Sequence, residues 1–483
     1  MRRIVLLAGI AFPALLVGVM FPSAMLGASP NAAADATVLC RVAHRTEPAT
    51  HAVLTAARLP GTIDLVQASP AVRTASDLRL TLGRLLGEHA YLTMEAMRAA
   101  AVNRPDTGAL TGALNANTDD LTGAVTTVYG NAAGSRFREL WQQHIDALIA
   151  WARARAAGDS AGENAARALM LDYKTAFSAF LAKANPHLSG DAEAHALQLH
   201  LDQLTSFVEM DYAQVFVTER AAYGHMFEFG DSLAAAIAAQ FPKRFPGAAV
   251  AFSPRTALRL DLGRLLGEHL ILAAEAHRAG LDAQPDAAAA KAALASNTKD
   301  LAVLIGRVYG SDAQAAFSKL WSSHINTYLR YIDAIRSGDT SARSNALGEL
   351  QRYPPSLATF LHAAVPGLAV ADLEPLISHH ISALINQVDA AAAGDSVRSV
   401  AVTREAYVHM FVVGDALGSG IADQFPDRFQ DLKQLPGTST AGPLEAGRVD
   451  GNAPLIFLAA LVGFVLTAAR GRRAADRPAH RPD

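Results

Sequence analysis

Eight histidines hold the chemistry that this chain could do. Sixteen histidines occur in 483 residues. Four of them, His89, His144, His200 and His225, recur as His269, His324, His380 and His409, the first three at an offset of 180 residues and the last at 184. Neutral imidazole is the commonest protein ligand for transition metals, and its charge changes near neutral pH. Metal ligation is therefore the first chemistry to consider. Acid–base work by Glu88 with His89 is disfavoured, because adjacent residues on a helix point about 100° apart. No zinc-protease His-Glu-x-x-His occurs, and no glycine-rich phosphate loop follows a strand. The chain is expected to be a binder rather than an enzyme.

The histidines sit where apolar residues belong. Leu78, Leu82, Leu85, His89 and Leu92 follow the three-and-four spacing of one helix face, as do Phe137, Trp141, His144, Leu148 and Trp151. Leu197, His200, Leu204 and Phe207 continue the pattern, and repeat two places His269, His324 and His380 alike. His225 and His409 lie only beside their seams. Burying an unpaired polar group costs about 1–3 kcal/mol, so each interior imidazole needs a partner. Carboxylates often orient ligating histidines. Glu88, Glu268, Asp231 and Asp415 are the candidates for that supporting role. With Met226 and Met410 nearby, the set suits copper; with Glu88 and Glu268, it suits zinc or iron. Haem is a further option. His379 faces Leu199 in the match and His277 faces Met97, so both are expected to be surface or packing residues.

Helices must position these side chains. Leu78–His89 reads LRLTLGRLLGEH, and Leu258–His269 differs from it only at the fourth position. Breakers divide repeat one into six helical segments near 76–100, 108–129, 134–157, 160–184, 191–209 and 213–240. Repeat two keeps most of the stops. No alternating apolar run supports a strand. The expected fold is all-α, with two tandem bundles of about six helices each, over 75–247 and 255–432. Repeats of this length could each bury a core of their own. Trp141 and Trp321 are expected as core anchors. Asn117-Thr118 and Asn297-Thr298 are expected to hydrogen-bond within their own helices.

Charge and termini bound the setting. Net charge is −3 and charges are mixed along the chain, so nothing points to nucleic acid. Residues 1–36 read as a signal peptide: Arg2 and Arg3 precede an apolar run that ends in small residues. A linker or irregular cap follows over 37–74. A stalk over 433–452 leads to an apolar run, 453–469, followed by Arg470, Arg472 and Arg473 in a tail over 470–483. That pattern predicts a single membrane helix with the body outside and the tail in the cytoplasm. The lone Cys40 excludes an intrachain disulfide.

The ordered elements GEHAYL, NANTDDL, VYG, LWQQHI, LHLDQL, YGHMFEFGDSL and IAAQFPKRF resemble a helical domain of secreted bacterial proteins. The resemblance covers both repeats. It implies that the eight matched histidines belong to a shared pattern, and it implies no catalytic activity. The expectation is an anchored, extracytoplasmic protein with one buried polyhistidine metal site per repeat. The alternatives are an envelope protein whose histidines serve internal hydrogen bonding, and a metal-dependent oxidoreductase.

Overall fold

The computed structural model describes residues 72–209 and 212–429. The expected signal peptide, stalk, membrane helix and basic tail lie outside the described residues, as do most of the linker and the break expected at Asp211. Among the described residues, no helix is long and apolar enough to cross a membrane.

Those residues are all-helical, as expected. Repeat one comprises α1 (Ala75–Ala101), α2 (Thr107–Tyr129), α3 (Asn131–Ala157), α4 (Ser160–Ala184), α5 (Gly190–Glu209) and α6 (Tyr212–Gln240). A one-turn α7 (Ala248–Ala251) forms in the short join between the repeats. Repeat two follows with α8 (Pro254–Leu281), α9 (Ala287–Tyr309), α10 (Ser311–Ser337), α11 (Thr340–Ala364), α12 (Val370–Ala392) and α13 (Ser396–Gln424).

Local chemistry explains the boundaries. Thr74 and Asp77 form a reciprocal capping box at the start of α1. Asp159, Asp339 and Asp395 cap α4, α11 and α13 by accepting from the third residue onward. Gly158 and Gly338 end α3 and α10 in left-handed backbone, φ 67° and 71°, which a side chain would strain. Asn185 is extended, as the residue before Pro186 should be.

The two repeats are not separate bundles with separate cores. One continuous apolar cluster runs through both. Helix α1 packs against α2, α3, α5 and α6, and α8 does the same with α9, α10, α12 and α13. The helices α1 and α8, which carry the duplicated motif, also pack on each other, while α6 reaches α9 and α13 reaches α2. Consequently α1 and α8 are buried on nearly every face rather than along one seam. Their glycines make room. A methyl group at Gly87 would lie 2.5 Å from Phe227, and one at Gly267 would lie 2.7 Å from Phe411. Those two rings stack at 6.2 Å with 5° between their planes. The Tyr223 and Tyr407 hydroxyls lie 3.1 Å apart, and each reaches a backbone carbonyl of the other repeat, at Arg264 and Arg84.

Candidate metal centre

Three helices of each repeat bring their imidazoles to one point. In repeat one, His89 on α1, His144 on α3 and His200 on α5 each place a ring nitrogen within 4.8 Å of the other two. His269 on α8, His324 on α10 and His380 on α12 do the same in repeat two. Nε2 of His89 and Nε2 of His144 are 3.1 Å apart. Around a tetrahedral ion with bonds of about 2.0–2.1 Å, ligand nitrogens sit ~3.3 Å apart. The His89–His144 pair is close to that spacing, and the third nitrogen of each triad lies within 4.8 Å.

All six rings are buried. Nine of their twelve nitrogens have no hydrogen-bond partner. The surroundings are aromatic: Trp141 lies 4.6 Å from His89 and 4.8 Å from His144 between ring centroids, and Tyr173 stacks on His144 at 4.4 Å. Trp321 and Tyr353 take the same places in repeat two. Burial pushes the imidazoles of His144 and His324 down to about 3, opposed by the backbone of Trp141 and Trp321. Burial, with repulsion from neighbouring histidines, lowers His89, His200, His269 and His380 as well. Neutral imidazole is the ligating form. The orphaned nitrogens and the neutral state both fit a bound cation.

The fourth histidine of each repeat does not join its triad. His225 donates from Nε2 to the Ala196 carbonyl at 3.0 Å, and His409 donates to that of Leu376 at 2.9 Å. Sitting beside the seam rather than on it, they meet the backbone of the neighbouring helix. Burial lowers both, His409 to about 4.

The carboxylates expected to support the imidazoles are engaged elsewhere. Glu88 accepts from Asn117 at 2.8 Å and pairs with Arg404 of repeat two, Nε to Oε1 2.9 Å. Glu268 accepts from Asn297 at 2.7 Å and from Arg220 of repeat one at 3.0 and 3.1 Å. Asp231 holds Arg79, and Asp415 holds Arg259. One residue further round the helix, each glutamate faces the opposite repeat and not its neighbouring histidine. Asn117 and Asn297 likewise bridge to α1 and α8, whereas Thr118 and Thr298 bond within their own helices as expected. Met226 and Met410 are buried, and Met410 lines the cavity that also touches His380 and Trp321. His277 is a buried partner of Tyr328, at 3.3 Å, and His379 rests against the His409 ring.

Two features depart from the reading of the sequence, which expects no Gly-x-Ser-x-Gly and no ionic cluster. Gly158-Asp159-Ser160-Ala161-Gly162 spells Gly-x-Ser-x-Gly. It forms the exposed turn between α3 and α4, with Asp159 capping α4, and no strand precedes it, so it is not a nucleophile elbow. The second is a buried ionic cluster between the repeats. Arg98 contacts Glu95 at 2.8 Å, Glu275 at 3.0 Å and Asp286 at 2.5 Å; Arg278 contacts Glu275 and Asp286; and Arg104 contacts Glu95 and Asp106. Against burial, these arginines hold Glu95 well below the usual carboxylate range. The recurrence of Glu95 and Arg98 as Glu275 and Arg278 was the available signal.

No family model, curated protein or solved structure matches the chain.

Proposed function

We propose that each repeat binds one transition-metal ion through its histidine triad, and that the chain works as a metal-binding protein held outside the membrane by its C-terminal segment. The convergence of three buried imidazoles, built twice, with nine of the twelve ring nitrogens lacking a hydrogen-bond partner, carries this reading. The external location rests on the termini alone, and protease shaving of intact cells tests it: the body should be cleaved and the tail protected.

An ion fits the site better than haem does. The matched cavities beside Trp141 and Trp321 hold about 60 and 40 Å³, whereas a cofactor pocket needs about 300–1,000 Å³. X-ray absorption at the edge of the bound metal should show only nitrogen neighbours near ~2.0 Å with imidazole scattering. A shell of carboxylate or water oxygens would reject the triads as the site.

A further inference from the structure

Among the described residues, the ligand set is uncharged. Each cluster consists of three histidines with no carboxylate or thiolate among the described residues. The nearest glutamates in sequence, Glu88 and Glu268, are bound by Arg404 and Arg220. Beyond the imidazoles lie Trp141, Tyr173 and the Thr93 hydroxyl in repeat one, and Trp321 and Tyr353 in repeat two. Taking an ion out of water into such a medium costs free energy that rises with the square of its charge, about fourfold from one charge to two. A divalent ion would keep its full charge here, because no anionic ligand offsets it.

We infer, on the reading that the triads bind metal, that both sites select monovalent copper, Cu(I), over divalent ions. Three neutral nitrogens give a cuprous ion its low coordination number and leave only one positive charge in the apolar interior. The tryptophans add a second preference. Each indole centroid lies within 5 Å of two imidazole centroids of its triad, at 4.6 and 4.8 Å for Trp141 and 4.9 and 4.8 Å for Trp321. An aromatic ring attracts a cation that has shed its water, and a soft univalent ion sheds water more readily than zinc does. Octahedral ions that retain several waters have no place to keep them: the adjoining cavities are small and lined by residues such as Leu82, Phe137, Leu262 and Phe317.

The test uses the whole chain in detergent, titrated without oxygen with Cu(I) against a chromophoric cuprous chelator, and separately with Zn(II) against a zinc chelator. The expected result is two Cu(I) per chain, quenched tryptophan fluorescence, and no displacement by a tenfold excess of Zn(II). Two Zn(II) per chain that resist Cu(I) would overturn the selectivity and leave the metal site standing. Failure of both ions to bind would overturn the site itself. His144→Phe keeps an apolar ring in the core slot and should halve the copper count with the helical circular dichroism intact. Should that variant not fold, His200→Gln is read the same way, and an unchanged count of two in the folded variant overturns the assignment.

Discussion

Gly87, Glu88 and His89 show how three neighbouring residues serve three ends. The glycine admits Phe227, the glutamate receives Arg404 from the other repeat, and the histidine enters its own triad. The 100° step of the helix separates these roles. The apolar seams in the sequence placed His89, His144 and His200 in the interior, where they converge, and the off-seam place of His225 was the legible sign that it differs. The destination of Glu88 was not legible, because its partner lies 316 residues away. Glu219 was missed altogether: buried, with neither carboxylate oxygen partnered. Burial and repulsion from Glu275 and Glu95 push this acid well above its usual range, while Arg98 and Arg278 pull it down, and Tyr91 shares the same surroundings. The unfolded chain releases this proton near pH 4.5 and the folded chain only at higher pH. Stability from Glu219 is therefore full below about pH 4 and is lost as pH rises through the folded value. Glu219→Gln should raise the melting temperature at pH 8 by ~2–4 °C, and the two melting curves should converge near pH 4. A constant difference across that range would count against a protonated Glu219.

Apart from α7, the helices of repeat one and most stops of repeat two were legible from their breakers, because caps and glycines act within a turn of where they stand. The close approach of helices was not legible, since it depends on which glycines face which helix. Gly414 on α13 meets Gly263 on α8: a methyl group there would sit 2.5 Å from the Gly263 backbone nitrogen. Gly414→Ala should force the two helices apart and cost ~1–3 kcal/mol, measurable by urea unfolding. Gly112 lies exposed within α2 with open space about it, so Gly112→Ala should stabilise by ~0.5–1 kcal/mol. Equal effects at the two positions would mean that the α8–α13 crossing is looser than described.

At the scale of the molecule, the duplication is an interface as well as a copy. Repeat one lends Arg220 to Glu268, repeat two lends Arg404 to Glu88, and Tyr223 meets Tyr407 between them. Buried ion pairs thus join the repeats, whereas their length alone allowed each a core of its own. Because the core is continuous, calorimetry should record one unfolding transition for both repeats. Arg404→Met strands the buried Glu88 carboxylate and should cost ~3 kcal/mol; it should lower that single transition without splitting it. Two separated transitions would contradict the shared core.

The triads remain the central claim, and counting metal ions per chain tests it most directly. Native mass spectrometry of the intact, metal-loaded chain should show two ions. His144→Phe and His324→Phe should each leave one, and the double variant should leave none. Two ions retained by the folded double variant, or none on the native chain, would contradict the account.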